Sequence, residues 1–247
     1  MSSPAAPPPF VLPDVGIDAA RAQLYGRDGP GWVVVHNAVE CDILRHMQRV
    51  WTHVAPGWFG PARSNADAGP GSPPYALSWP DGHQTWVQGP WSPPYDAATM
   101  AVVWQVQQLR NRIEGRLPWA GLMDFGAEWL QLRVVQNTGP AARVGGHADH
   151  AEAPPATPLG GHRADPARLQ ATLLLSTSGE DWSGGGFWLN PAHGDGPVHL
   201  SQASHARAGD LLLWRHSLTH GVDPVTAAPG ALGFLRIILP VVCPGPR

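Results

Sequence analysis
The chain has 247 residues, a formal net charge of −3 and only 14% charged residues, against 29 glycines and 28 prolines. No lysine occurs, so all 16 basic residues are arginines, which excludes a Schiff-base lysine and a phosphate-loop lysine. A weak negative charge without basic clusters argues against nucleic acid as main partner, and the length fits one domain with a sizeable core and many turns.

Residues 1–13, "MSSPAAPPPFVLP", read as a flexible leader ahead of a single domain over 14–247. There is no charged-then-apolar secretory leader and no apolar run of membrane-spanning length, so a cytoplasmic protein with no membrane partner is expected. Cys41 and Cys243 stand at opposite ends and form no metal-binding spacing. The oligomeric state is left open.

"GWVVVHN" (31–37) reads as a strand. Asn37-x-x-Glu40 offers a capping box for a helix to about Val54, with Ile43, Met47, Val50, Trp51 and Val54 on one face. Residues 57–95 are rich in Pro, Gly and Trp and lack periodicity. A second helix begins after Asp96 and carries Val102, Val103, Val106, Leu109 and Ile113. Strand-like segments follow at 128–136, 168–177, 187–189, 210–214 and 232–239. Helices first and short strands after them predict an α+β fold, a strand-rich sandwich or barrel buttressed by helices. The stretches 57–95 and 151–167 exceed ordinary connections and are candidate lids or substrate walls. Trp79, Trp86 and Trp91 in the first either wall a pocket or anchor the loop to the body of the fold.

Two His-x-Asp triplets occur. His147-Ala148-Asp149 follows an extended run and a Gly-rich turn, while His193-Gly194-Asp195 sits in a Pro/Gly-rich connection and reads as turn. Residues i and i+2 of an extended chain point the same way, so His147 and Asp149 can share one metal. His220, 73 residues after His147, supplies a third donor from a separate strand. Two histidines and one carboxylate occupy one face of an octahedral iron(II) ion and leave three positions open. His150 should point away from such a metal, and His216 suits a hydrogen-bonded structural role. Arg236 lies inside the apolar run "ALGFLRIIL", where an unpaired guanidinium is costly. Gln136 shares a strand face with Leu130, Leu132 and Val134, and either ends a core row at a pocket or meets solvent. Thr172, Leu174 and Ser176 share another face. Nothing selects Arg143, Arg163 or Arg215 over surface roles.

Between about 129 and 239 these motifs resemble, in order and spacing, the iron(II)- and 2-oxoglutarate-dependent dioxygenases of the prolyl-4-hydroxylase-like and phytanoyl-type branches. The sequence of features is an extended run into His147-x-Asp149, "LQATLLLST", "GGGFWL", "AGDLLLW", His220 in "HGVDPV", then a basic residue in the last core strand. The resemblance implies a double-stranded β-helix (jelly-roll) core buttressed by N-terminal helices. It implies His147, Asp149 and His220 as iron ligands, and Arg236 as partner of the distal carboxylate of 2-oxoglutarate. Gln136 stands where prolyl-hydroxylase-like members carry a cosubstrate-contacting tyrosine, and Ser176 is placed to hydrogen-bond the cosubstrate.

The implied activity consumes O2 and hydroxylates an unactivated C–H bond of a small molecule, such as an amino-acid derivative or natural-product intermediate, releasing succinate and CO2. Retention of Asp149 disfavours halogenation, while desaturation and ring formation stay open. The rival readings are a cupin-like metalloprotein without 2-oxoglutarate, a protein-residue hydroxylase, and a non-enzymatic jelly-roll binding module. Two features depart from the family: the 16-residue gap from His220 to Arg236, which holds an extra turn "TAAPGA", and the missing tyrosine before His147.

Overall fold
Long apolar runs without alternation, such as "DLLLW", are what a strand needs when both of its faces are covered. The computed structural model, which describes residues 16–59, 75–78, 80–89, 92–122, 128–148, 163–164, 167–194 and 196–243, meets that requirement with two facing sheets and a helical layer. The chain begins with α1 (Ile17–Tyr25), β1 (Trp32–Val35) and α2 (Cys41–Arg49), which runs on through a π-helical turn (Val50–Val54) and a 3-10 turn (Ala55–Trp58). Next come the hairpin β2 (Tyr75–Ser78) and β3 (His83–Gln88), helix α3 (Ala97–Glu114), β4 (Trp129–Leu130), β5 (Leu132–Asn137), β6 (Val144–His147) and β7 (Arg163–Ala164). The remainder is β8 (Leu169–Leu174), β9 (Ser183–Leu189), β10 (Val198–His199), α4 (Leu200–Ala203), β11 (Leu211–Arg215), β12 (His220–Thr226), β13 (Phe234–Ile238) and β14 (Val241–Cys243).

The large sheet has the order β1-β11-β8-β13-β5-β3-β2, and the small one β10-β9-β12-β6; β4, β14 and β7 form a third. All of these pairings are antiparallel. From β5 onward the chain passes back and forth, with β5, β8, β11 and β13 in the large sheet and β6, β9, β10 and β12 in the small one. On β11, Leu211 and Leu213 face the helical layer, whereas Leu212 and Trp214 face the small sheet. The same split divides Leu235 and Ile237 from Phe234 on β13.

The helical layer is assembled from apolar stripes at a spacing of three and four. In α3 the predicted Val102, Val103, Val106, Leu109 and Ile113 are all buried, and Asp96 caps the helix by accepting from the Thr99 amide at 2.7 Å. The same carboxylate bonds His46 of α2 at 2.8 Å, and the buried Trp51 donates to Thr99 Oγ1 at 3.1 Å, so one capping site joins two helices. At its other end α3 carries a buried ionic cluster. Arg110, fully enclosed, donates to the carbonyls of Leu169 (3.0 Å) and Leu239 (2.6 Å). Arg168 spans Glu114 (3.2 Å) and Glu128 (3.3 Å) and donates to Asn111 at 2.5 Å. Burial pushes the Glu114 carboxyl above its usual range, against the pull of Arg168 and Arg110.

Three expectations are corrected. The Asn37-x-x-Glu40 box does not form: Asn37 adopts a left-handed φ of 52° and gives its amide to Asp210 Oδ1 at 2.8 Å, and the helix starts at Cys41 behind Glu40, which makes no side-chain cap bond. A distant carboxylate outcompetes the local cap. Val54, expected on the buried face, is 49% exposed, because the helix has changed pitch by then. The stretch 57–95, read as lacking periodicity, holds β2 and β3, which widen the large sheet; of its tryptophans Trp86 is buried in the core, as the anchoring alternative has it, and Trp79 and Trp91 lie outside the described residues. Residues 1–13 and most of 151–167 also lie outside them. Among the described residues no helix is long and apolar enough to cross a membrane.

Candidate metal and cosubstrate site
β12 is the centre of the site because it pairs with β6 on one side and β9 on the other. This register sets His220 directly opposite His147, with ring centroids 4.4 Å apart. Paired residues point to the same face, and here it is the face turned toward the large sheet: His220 packs against Phe187 (5.8 Å) and Trp214 (5.6 Å). Two glycines permit so close an assembly. A Cβ on Gly221 would stand 2.7 Å from both Trp188 and the Val144 carbonyl, and one on Gly146 would stand 2.9 Å from Trp188. Trp188, fixed by an Nε1–H bond to Asp223 Oδ1 at 3.2 Å, thus backs both histidine-bearing strands from the opposite face.

Each ring is oriented by the carbonyl two residues before it. His147 Nδ1 bonds Gly145 O at 2.9 Å, and His220 Nδ1 bonds Leu218 O at 3.1 Å. A neutral imidazole donating through Nδ1 carries its lone pair on Nε2, the arrangement seen when a backbone carbonyl orients a metal-binding histidine. His220 is buried and His147 exposed, so the pair sits at a mouth rather than in a sealed core. Among the described residues no three His, Cys, Asp or Glu side chains gather at one point. Asp149, the expected third donor, and His150 both lie outside the described residues. His193 is exposed in the connection before β10, as expected of a turn, and His216 is buried.

Arg236 on β13 occupies the inner face of the large sheet and is 2% exposed. Its guanidinium carbon lies 4.3 Å from the Phe234 ring centroid, and Nη1 donates to Asn137 Oδ1 (2.8 Å) and the Phe234 carbonyl (3.2 Å). Nε is buried and makes no hydrogen bond among the described residues. No described carboxylate pairs with this cation, and burial alone pulls its pKa down to about 9. A dry, oriented guanidinium with no counter-ion among the described residues has the chemistry to receive an anionic group. The inserted turn foreseen between His220 and Arg236 lies between the end of β12 at Thr226 and the start of β13 at Phe234.

Of the other two residues expected at the cosubstrate, Gln136 turns away from the inner face and Ser176 lies on it. Gln136 pairs with Leu235 and does share a face with Leu132 and Val134, but that is the face turned to the helical layer; its Nε2 donates to the Leu232 carbonyl at 2.9 Å. The inner row of β5 is instead Arg133, Val135 and Asn137. Ser176 does line up with Thr172 and Leu174 along a small cavity between the sheets, with space for about one water. Its hydroxyl donates to Leu235 O (3.3 Å) and accepts from Leu235 N (2.8 Å), so it completes the backbone ladder at the strand end. Asn137 and His83, neither of them anticipated, are the polar residues joined to Arg236.

No protein-family model matches the sequence, and no curated protein matches it. Solved structures do match in three dimensions. A prolyl-4-hydroxylase from Pseudomonas putida is 18% identical at a TM-score of 0.54, covering 94% of this chain and 100% of that one. This is the fold of the 2-oxoglutarate–iron(II) oxygenases. An oxidoreductase of that oxygenase family from Burkholderia pseudomallei gives 0.51 at 14% identity, over 95% of this chain and 93% of its own. A Trichoplax adhaerens prolyl hydroxylase, solved with a peptide of hypoxia-inducible factor, gives 0.52 at 14%, over 92% and 88%. The oxygenase fold therefore extends over nearly the whole chain, helical layer included.

Proposed function
We propose that the protein is an iron(II)- and 2-oxoglutarate-dependent oxygenase whose alternating sheets form a double-stranded β-helix, or jelly roll. One arrangement carries the reading. Between the two sheets, a histidine pair oriented through Nδ1 faces the same interior as a buried arginine that has no acidic partner among the described residues. The donor set fits the metal, since two neutral imidazoles leave room for a carboxylate, and Asp149 follows His147 by two residues in the sequence. The buried cation fits a dicarboxylate whose far end it would neutralise.

In this reading His147, Asp149 and His220 hold iron(II), and Arg236 binds the distal carboxylate of 2-oxoglutarate. When bound, the metal and cosubstrate supply O2-dependent oxidation: cosubstrate, O2 and a C–H bond become succinate, CO2 and a hydroxylated product. The chain's own contributions are geometric and electrostatic. Trp188 and the two glycines fix the spacing of the histidine strands, the Gly145 and Leu218 carbonyls hold the ring tautomers, and Trp214 and Phe187 keep water from one side of His220. Hydroxylation of a small molecule is the outcome we assign, in keeping with the carboxylate retained at Asp149 beside His147.

An anaerobic titration with iron(II) and then 2-oxoglutarate tests this reading. A weak visible charge-transfer band at one equivalent, absent in His147→Ala and Asp149→Ala, is expected. Iron binding without a band would favour a cupin-like metalloprotein, and no iron binding would leave a non-enzymatic binding module.

A further inference from the structure
Arg236 does not stand alone on the inner face of the large sheet. Asn137, fully buried on the adjacent β5, accepts from its Nη1 at 2.8 Å, and the Asn137 amide nitrogen lies 3.1 Å from His83 Nδ1 on β3. On the far side of that ring, His83 Nε2 lies 3.0 Å from Thr85 Oγ1. The register explains the row: His83 pairs with Asn137, and Arg236 is the diagonal neighbour of Asn137 across the β5–β13 ladder.

The direction of this chain of bonds is forced. A guanidinium only donates, so the Asn137 oxygen must face Arg236 and its NH2 must face His83. His83 Nδ1 must then be the lone-pair nitrogen, the proton resides on Nε2, and Thr85 Oγ1 accepts it. Every link is satisfied only with the imidazole neutral. Burial, reinforced by the nearby Arg236 charge, agrees by lowering the His83 pKa to about 4, while Asp81, whose carboxylate accepts the His83 amide at 3.0 Å, pulls the other way.

We infer that His83 is a positioning residue of the cosubstrate site: through Asn137 it fixes the plane of the Arg236 guanidinium, and thereby the geometry in which a carboxylate is received. The inference rests on the oxygenase reading above. Without an acceptor at Nδ1, the Asn137 NH2 loses its anchor, and the carboxamide that receives Arg236 is held from one side only.

Two substitutions separate this from a packing role. His83→Asn places a side-chain oxygen where Nδ1 stands, whereas His83→Leu keeps much of the bulk and offers no acceptor. Both lose the bond to Thr85. Calorimetric titration of each protein with 2-oxoglutarate, anaerobically and with iron(II) present, should show His83→Leu binding roughly tenfold more weakly and His83→Asn within about twofold of the parent. Equal affinity in the parent and His83→Leu overturns the inference, as does equal weakening in both variants. If the parent itself binds no 2-oxoglutarate, the oxygenase reading falls and takes this role with it. Nitrogen-15 NMR of the His83 ring decides separately whether the bond chain exists. Protonation at Nε2 alone is expected, and a proton on Nδ1 refutes it.

Discussion
Replacing Arg236 by methionine should move apo stability and cosubstrate binding in opposite directions. The guanidinium remains charged at neutral pH, and a pKa drawn from 12.5 to about 9 by burial expresses a cost on the order of 4–5 kcal/mol for keeping that charge from water. Methionine removes the cost with similar length. It also leaves Asn137 Oδ1 without its donor, at about 1–3 kcal/mol, and forfeits the contact over Phe234, about 1 kcal/mol. The balance is a gain of roughly 0–3 kcal/mol for the apo protein, up to about 12 °C in Tm for a chain of this length. Binding should suffer, because a desolvated charge pair is worth roughly 3 kcal/mol, or about 100-fold in Kd. At a 2-oxoglutarate concentration 100 times the parent Kd, ligand stabilisation should fall from about 2.7 kcal/mol to about 0.4. Scanning calorimetry of both proteins, with and without metal and cosubstrate, reads all four values. A variant less stable than the parent in the apo state, yet stabilised by 2-oxoglutarate to the same extent, would show that Arg236 is a structural arginine.

Other consequences are as direct. His220→Ala should abolish iron(II) binding and cost stability through lost contacts with Trp214 and Phe187, while His147→Ala, at an exposed position, should abolish binding with little change in Tm; equilibrium dialysis and thermal melts check both. Arg168→Met takes the nearest cation from Glu114 and Glu128, leaving them the longer Arg116 contacts at 3.8 and 3.7 Å, and should cost about 3 kcal/mol; chemical denaturation showing under 1 kcal/mol would contradict that role for the cluster. Gly221→Ala should be more damaging than Gly146→Ala, since its Cβ meets the Val144 carbonyl as well as Trp188, and the difference should appear in both Tm and metal affinity. Stability should also fall in acid. The folded His83 pKa, about 4, lies below the unfolded value of 6.5, so the unfolded chain binds more protons in that window and stability drops by roughly 2 kcal/mol as pH falls through it; His83→Asn should flatten the slope.

Long periodic elements were legible because their burial is one-sided. The stripe of α3 and its Asp96 cap appear in the chain as they do in the fold. The hairpin β2–β3 was not, since four consecutive buried residues in β3 erase the alternation that marks a half-exposed strand. The strand β6 was hidden too: "VGGH" has almost no β-propensity, and Gly146 leaves the space that Trp188 of β9 reaches into across β12. The capping box at Asn37 failed for the complementary reason, a long-range partner at Asp210 that local pattern cannot show.

The site divides along the same line. The candidates His147, His220 and Arg236 could be named because histidines and buried cations are chemically conspicuous residue types in apolar settings. Their partners could not, because strand alternation tells which residues share a face but not which face looks into the site. On β5 each face mixes apolar and polar residues, and Gln136 and Asn137 differ by a single position, so only the register with β13 and β3 decides between them. That register gives Asn137 to Arg236 and His83 to Asn137, and it leaves Gln136 under the helices. Exchanging the two residues, Gln136→Asn with Asn137→Gln, tests the assignment. The Asn137→Gln change lengthens the link to Arg236 and should weaken 2-oxoglutarate binding, whereas Gln136→Asn alone should leave it unaltered. The opposite pattern would place the cosubstrate on the helical side of the sheet and undo the site described above.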